Sequence, residues 1–453
     1  MINMRREAAL ALEEILSRGG YSSLTVKKRL RAMPESVGEA ERRFFTSLVY
    51  TTLEHTISID AIVGHYMKTP IAKLKPYVLS CLRLGLCQLR YMDGVPPHAA
   101  INETVKLVRS SPFRGLAGLV NAILRRAQKE ALAIPVTKLV GIDAEKEPVR
   151  ALSLTYDMPE WIVELWRRDY GREQAERVLQ RMQTKSRVCL RANTLKADLA
   201  YIKERLKARG AQQSSLMETA FYIEHMGDVS TWKEYQDGLI AVQDESSLLA
   251  VAALEVRPGH RVLDMCAAPG GKSTFMAQLM ENEGCIISRD LHAHRRALIE
   301  ENRERLGASC IQAQTMDSTR IRPEDAQAYD RVLLDAPCSG LGMLRAKPDI
   351  RFHHSPQDEK DLQALQRRLL MAAAEAVKPG GRLVYSTCTL CRAENQDQVQ
   401  WFLKRYPEFV CKDLENDLQA IPECDRLWEK CLTLWPQDNG HDGFFVACLE
   451  KKK

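Results

Sequence analysis

Residues 261–275 read RVLDMCAAPGGKSTF. Val262 and Leu263 form an apolar pair closed by Asp264. Ala267, Ala268, Pro269, Gly270 and Gly271 make a tight loop of small residues, and Phe275, Met276 and Leu279 then recur at helical spacing. The stretch predicts strand, glycine loop and helix. Small residues let a backbone approach a ligand, and a helix N-terminus offers unpaired N–H groups. Open α/β sheets bind nucleoside-like cofactors at such strand ends.

Two cofactor classes compete for this loop. Gly270, Gly271, Lys272, Ser273 and Thr274 resemble the tail of a phosphate-cradling loop, and 331–335 (RVLLD) could serve as its acidic strand. The first glycine of that motif, however, would fall on Cys266. S-adenosylmethionine carries a sulfonium and no phosphate, so it calls for carboxylates at strand ends. Asp264, Asp290, Asp317 and Asp335 each follow a predicted strand, at 285–289, 310–314 and 331–334 for the last three. An acid about 20 residues past the loop is the position that takes ribose hydroxyls, which suits Asp290. One such Asp could be a helix N-cap; four in strand order favour the sulfonium cofactor over a nucleoside triphosphate.

The chain has 453 residues, enough for two or three domains, with 45% hydrophobic and 27% charged residues. No apolar run reaches membrane-spanning length and residues 1–6 do not open a signal peptide, so a cytoplasmic protein is expected. Thirteen cysteines without the spacing of a small disulfide scaffold suit a reducing compartment. Residues 1–130 hold 20 Lys and Arg against 11 Asp and Glu, a surplus of nine positive charges, whereas the whole chain is only +6. A basic first domain points to a polyanionic partner; its alternative is a solvated helical surface.

Residues 1–130 carry helical stripes (Met4, Ala8, Leu12, Ile15; Phe45, Val49, Leu53; Val78, Leu82, Gly85, Leu89) broken at Gly19, Gly20, Pro70, Pro96 and Pro97. Residues 131–240 predict helix from 156 to 182, a strand at 187–193, a helix at 199–210 and a strand at 220–224, a small α+β insert. Arg191 and Asn193 are taken there as strand-end residues outside the site. Beyond the glycine loop, helices are expected at 293–306, 363–377 and 394–406, a strand at 382–386, and an antiparallel pair at 432–436 and 443–449.

Strand four ends in Asp335, Ala336, Pro337 and Cys338, and strand five in Ser386, Thr387 and Cys388. Each puts a cysteine where ligands bind. A thiolate is the nucleophile able to add to an electron-poor ring carbon. Cytosine C5 is too weakly nucleophilic to take a methyl group until a thiolate adds at C6. A carboxyl contacting N3, such as Asp335, favours that addition. Cys388 and Cys391 form one CxxC, but a structural zinc site needs four ligands and no second CxxC occurs, so no metal is expected. Either cysteine alone could be buried packing; the pair at matching strand ends is what points to chemistry.

Residues 82–91 (LRLGLCQLRY), 95–103 (VPPHAAINE) and 118–126 (GLVNAILRR), with 42–53 before them, resemble the NusB-type RNA-binding helical domain. Residues 264–272 (DMCAAPGGK), 335–340 (DAPCSG), 347–351 (KPDIR), 385–388 (YSTC), Glu394-Asn395 and 442–445 (DGFF) resemble the NOL/NOP/Sun family of RNA cytosine-5 methyltransferases. That resemblance implies an α/β fold: a Rossmann-like S-adenosylmethionine-dependent methyltransferase sheet with helices on both faces, behind an all-α NusB-like domain and a small α+β insert. It implies Cys388 as nucleophile, Cys338 as the group assisting release and Asp335 beside them. Cofactor contacts are implied at Cys266, Ala267, Ala268, Pro269, Gly270, Gly271, Lys272, Asp290, Asp317 and Asp335. The expected domains are 1–135, 136–238 and 239–453. The expected partner is small-subunit (16S) ribosomal RNA, methylated at cytosine C5 by a monomer with no membrane. A DNA cytosine-5 methyltransferase, with Cys338 as nucleophile, and a non-enzymatic NusB-like RNA-binding factor are the alternatives.

Overall fold

The computed structural model describes residues 2–184, 186–224, 226–414, 424–425, 430–436 and 441–453. It divides into two compact units, one of Met1–Gln183 with Ala346–Ser355 and one of Thr184–Arg345 with Pro356–Lys453. Among the described residues no helix is long and apolar enough to cross a membrane.

The first unit is helical. Met4–Arg18, Glu39–Glu54, Pro76–Arg90, Pro97–Arg109 and Ala117–Glu130 bury the expected stripes, with Leu12, Phe45, Val49, Leu82 and Leu124 all fully buried. Gly19 ends the first helix in a left-handed conformation, φ 71°. At Gly85 a Cβ would stand 2.9 Å from both Leu124 methyls, so glycine lets Pro76–Arg90 and Ala117–Glu130 approach closely.

The segment Ala346–Ser355 supplies this unit with caps. Helix Ser22–Ala32 has no capping side chain of its own at Tyr21. Asp349 takes that place, accepting from Ser22 N at 3.0 Å and Ser22 Oγ at 2.5 Å. Arg351 is buried and donates to the Asp157 and Glu54 carbonyls.

The second unit opens with strands β1 (Val188–Ala192), β2 (Gln212–Gln213), β3 (Ala220–Ile223) and β4 (Ile240–Val242), an antiparallel sheet in the order β2-β3-β1-β4. The main sheet follows: β5 (Arg261–Asp264), β6 (Cys285–Asp290), β7 (Ile311–Thr315), β8 (Tyr329–Asp335), β9 (Val377–Thr387), β10 (Phe409–Cys411), β11 (Cys424–Asp425), β12 (Leu432–Leu434) and β13 (Phe444–Lys451). Its order is β11-β12-β13-β9-β8-β5-β6-β7, with β10 on β13. Pairing is parallel from β9 through β8, β5 and β6 to β7, and antiparallel where β13 meets β9. The chain runs outward from β5 to β7 and then returns to β8, so the strand order reverses between β5 and β8. Ligands bind at such switch points, beyond the strand C-termini. This is the Rossmann-like methyltransferase architecture.

Several boundaries differ from the sequence reading. Helix Pro148–Tyr156 precedes Glu160–Arg181, which breaks at Gly171 (φ 80°), in place of one run from 156 to 182. Helix Pro356–Ala376 starts seven residues before the expected 363, through a polar turn with no apolar period. Strand β9 begins at Val377, five residues before the expected 382, and includes Pro379 to Gly381.

The two units also cut the chain elsewhere than at 135 and 238. The helices before Gln183 count with the first unit, and the α+β strands count with the main sheet. Arg191 and Asn193 show why. Arg191 is buried and donates to Gln278 Oε1 at 2.7 Å and Thr274 Oγ1 at 3.0 Å, while Asn193 Nδ2 donates to the Gly238 and Leu306 carbonyls. Of the expected strand-end residues, Arg191 braces the small sheet to the glycine-loop helix and Asn193 braces it to the end of helix Ala293–Leu306.

Candidate active site

The glycine loop spans residues 265–270, between β5 and helix Gly271–Leu279. The Ala268–Pro269 peptide is cis, and Gly270 has φ 99°. A Cβ on Gly270 would sit 3.2 Å from Ile299 Cα. Only glycine meets both demands. The loop is pinned by backbone bonds from Met265 N to Leu333 O at 3.0 Å and Ala267 N to Arg289 O at 2.8 Å.

Asp264 ends β5 fully buried. Its Oδ2 accepts from Ser273 Oγ at 2.6 Å, and Ser288 Oγ donates to Ser273 Oγ at 2.8 Å. Its Oδ1 has no hydrogen-bond partner. Burial, and then the nearby Asp335, push its carboxyl up to about 7. Burial beside Asp264 also raises the Cys266 thiol, which therefore stays protonated.

Asp290 ends β6 buried, accepting from His292 N at 3.3 Å and facing Arg295 at 3.4 Å. Asp317, past β7, is more open. Its Oδ1 accepts from Thr319 N at 3.0 Å and Thr319 Oγ1 at 2.7 Å, bonds that lower its carboxyl below the usual value.

Asp335 ends β8 beside β5, at the strand-order reversal. Lys272 Nζ donates to its Oδ2 at 2.7 Å and Ser386 Oγ to its Oδ1 at 2.9 Å. Lys272 also lies over the Phe444 ring, 5.5 Å from its centroid. Burial opposes the Lys272 charge, but Asp335 outweighs it and holds the ammonium above the ordinary lysine value. Lys272, expected in the cofactor loop, is thus turned toward the two cysteine loops through Asp335.

Strands β8 and β9 are parallel, with Asp335 paired to Ser386. Three residues beyond one and two beyond the other, Cys338 Sγ and Cys388 Sγ lie 3.3 Å apart. The hydrogen bond with Cys388, and then burial, hold the Cys338 thiol well above the usual value. At neutral pH Cys338 therefore keeps its proton.

The residues that hold the two loops together gave little sign in the sequence. Glu394 is buried. Its Oε2 accepts from Ser339 N and Gln366 Nε2, each at 2.9 Å, and its Oε1 accepts from Ser339 Oγ at 2.5 Å. Ser339 Oγ is 2.7 Å from Thr389 Oγ1. Asn395 Nδ2 donates to Thr389 O at 2.9 Å, and Thr387 Oγ1 donates to Asn395 Oδ1 at 2.5 Å. The Ser339 hydroxyl thus ties the residue after Cys338 to the residue after Cys388, and the Glu394 carboxylate holds Ser339 in place. Burial raises the Glu394 carboxyl despite these donors. The Glu394-Asn395 pair was visible as a motif, but Ser339 and Gln366 had no signal beyond their types.

Glycine closes the far side. Gly342 N donates to Cys388 O at 3.0 Å, and Gly443 N to Gly342 O at 3.0 Å. A Cβ on Gly342 would overlap the Gly443 carbonyl and stand 2.8 Å from Cys388 O.

Comparison with known proteins places this arrangement. Residues 251–450 match the family profile of 16S rRNA methyltransferase RsmB/F, residues 2–129 the NusB family, and residues 158–230 the ferredoxin-like domain of RsmF/B-like methyltransferases. A Bacillus subtilis (strain 168) protein named "Probable ribosomal RNA small subunit methyltransferase B" is 36% identical over 99% of this chain and 98% of its own. The chain belongs to the RsmB/F family of 16S rRNA methyltransferases.

Solved structures agree with that membership. The crystal structure of PH0851 superposes with a TM-score of 0.83 at 25% identity, covering 100% of this chain and 99% of its own. A methyltransferase homolog from Pyrococcus horikoshii gives 0.58 at 31% identity, covering 67% of this chain and 99% of that one. The RsmB/F matches span the glycine loop, all four strand-end carboxylates and both cysteines.

Proposed function

We propose that this chain methylates C5 of a cytosine in 16S ribosomal RNA, with S-adenosylmethionine as methyl donor and a covalent bond between Cys388 and C6 of the base. The observation that carries the reading is the 3.3 Å approach of two thiols at the ends of adjacent strands, beside a lysine-held carboxylate.

The strand ends fit that donor. Asp264 presents a buried, unpartnered Oδ1, and Asp290 stands where ribose hydroxyls are taken. S-adenosylmethionine supplies an electrophilic methyl group there.

The chain's own residues prepare the acceptor. Cys388 Sγ adds to C6, and electron density then gathers on C5. The Lys272–Asp335 pair carries no net charge and faces the cysteines, so it suits the polar N3 edge of the ring as density builds on it. After transfer the C5 proton passes to solvent water, its C–H electron pair re-forms the C5–C6 double bond, and the C6–S bond breaks with its electrons returning to Cys388. Cys338, still protonated, donates its S–H to the departing Cys388 thiolate and stabilises it as leaving group. In this reading Glu394 positions the cysteine loops and does not itself react. The helical unit, with its surplus of positive charge, contributes RNA contacts.

Bisulfite sequencing of 16S rRNA from cells lacking the protein tests the reading. One protected cytosine should be lost, restored by wild-type protein and not by Cys388→Ala. An unchanged protection pattern would exclude C5 of cytosine as the acceptor.

A further inference from the structure

A second pair of cysteines meets away from the candidate active site, at the β13 end of the main sheet. Strand β13 pairs with β9 along one edge, and its other edge carries β10, where Leu449 faces Cys411, and β12, where Val446 faces Leu432. The two short strands thus lie end to end, with Cys411 closing β10 and Cys431 directly preceding β12. Cys431 sits in the buried cluster that holds Ala447 and Leu449, which are two apart on β13, and Cys411 packs against that cluster. Residues two apart share one face of a strand, so both thiols stand on the same side of the sheet. Their sulfurs are 3.7 Å apart, although 20 residues separate them in sequence.

The two thiols are not equivalent. Cys431 is only 5% exposed, whereas Cys411 is half-buried and open to small solutes. The hydrogen bond from Cys431 outweighs burial and, with the Lys430 ammonium, lowers the Cys411 thiol below its ordinary value. The same bond, and then burial, hold the Cys431 thiol well above it. A reachable, more acidic thiol beside a buried, protonated one is the arrangement of an attacking and a resolving cysteine.

We propose that Cys411 and Cys431 are a modification site, closed to a reversible disulfide by a peroxide. The Cys411 thiolate attacks one oxygen of hydrogen peroxide; the O–O bond breaks, hydroxide leaves, and Cys411 becomes a sulfenic acid. The Cys431 sulfur then attacks the Cys411 sulfur. The S–O bond breaks, and the departing hydroxide takes the Cys431 proton and leaves as water. The two sulfurs give up two electrons and the peroxide takes them. The bond clips β10 to the start of β12 along β13, and a thiol reductant opens it by exchange.

Hydrogen peroxide on the full chain at neutral pH, followed by alkylation, trypsin and mass spectrometry without reductant, tests the site. Trypsin cuts after Arg405, Lys412, Lys430 and Lys451, so the disulfide joins 406–412 to 431–451, and fragmentation of the second peptide separates Cys431 from Cys448. The linked pair should appear with peroxide and be lost on treatment with dithiothreitol. Cys431→Ser removes the resolving thiol, so Cys411 should accumulate as a sulfenic acid captured by dimedone. Cys411→Ser should leave Cys431 free to be alkylated. The wild-type map decides the matter whether or not either variant folds. Cys411 and Cys431 both alkylated after peroxide, or a cross-link from either to Cys448 in place of the other, would overturn the proposal. Dimedone on Cys431 in the Cys411→Ser protein would overturn the order of attack.

Discussion

Cys338 Sγ and Cys388 Sγ, fifty residues apart in sequence, stand 3.3 Å from one another. The parallel register of β8 and β9 brings them level, and the Ser339–Thr389 hydroxyl contact, with Glu394 holding Ser339, links their loops. If the sulfur that attacks is Cys388 and the one that aids departure is Cys338, the two alanine variants must fail differently. Cys388→Ala forms no bond to RNA. Cys338→Ala attacks, transfers the methyl group and then stalls, accumulating as a protein–RNA adduct that migrates slowly on a denaturing gel. The double variant shows no adduct. A folded, inactive Cys338→Ala protein never found attached to RNA would refute this division of roles.

Gly342 tests how tightly the Cys388 loop is held. An added methyl meets the Gly443 and Cys388 carbonyls, both backbone, which cannot rotate away. Overpacking of this kind costs about 1–3 kcal/mol. Gly342→Ala should lower kcat at least tenfold while the dissociation constant for S-adenosylhomocysteine stays within twofold. Equal losses in both would place the damage in the whole fold.

Asp264 makes stability depend on pH. Its carboxyl rises from 3.8 in the unfolded chain to about 7 in the fold. Below about pH 4 both states hold the proton. Between pH 4 and 7 only the folded state does, so wild-type stability falls as pH rises through that window. Asp264→Asn keeps an acceptor for Ser273 and does not ionise. The ligand-free variant should gain on wild type as pH rises from 5 to 8, by a total on the order of 1–4 kcal/mol. Urea unfolding at several pH values reads the gap, and a gap independent of pH would mean that the buried carboxyl is ionised throughout.

Helix Ser22–Ala32 exposes Lys27, Lys28 and Arg31 to solvent. If the surplus charge of the helical unit meets RNA phosphates, Lys27→Glu/Lys28→Glu should weaken binding. It should also flatten the slope of log affinity against log salt by roughly 0.7–0.9 for each phosphate no longer neutralised. Filter binding at several salt concentrations measures both, and an unchanged slope would show this helix to be a solvated face.

The sequence carried the parts of this fold that have a local signature. Helix Ala293–Leu306 falls on its expected bounds, and the glycine loop, the four strand-end carboxylates and the terminal antiparallel pair stand where periodicity and turn chemistry put them. Long-range partnerships were not legible. Nothing near Ser22 announces that its cap comes from Asp349, 327 residues away, and nothing near Ser339 points to Glu394. Lys272 reads as part of a cofactor loop, and nothing local announces that its ammonium rests on Asp335.

The ten residues Ala346–Ser355 belong with the helical unit although catalytic-domain sequence flanks them on both sides. A recombination event or cloning boundary placed anywhere between residues 183 and 346 therefore cannot deliver the methyltransferase half cleanly. It also delivers Asp349 without the helix it caps and Arg351, a cation built for burial, without the carbonyls that solvate it. The two halves are interleaved along the chain rather than joined at one seam. Inheritance of one without the other would require this strip to be rewritten at the same time.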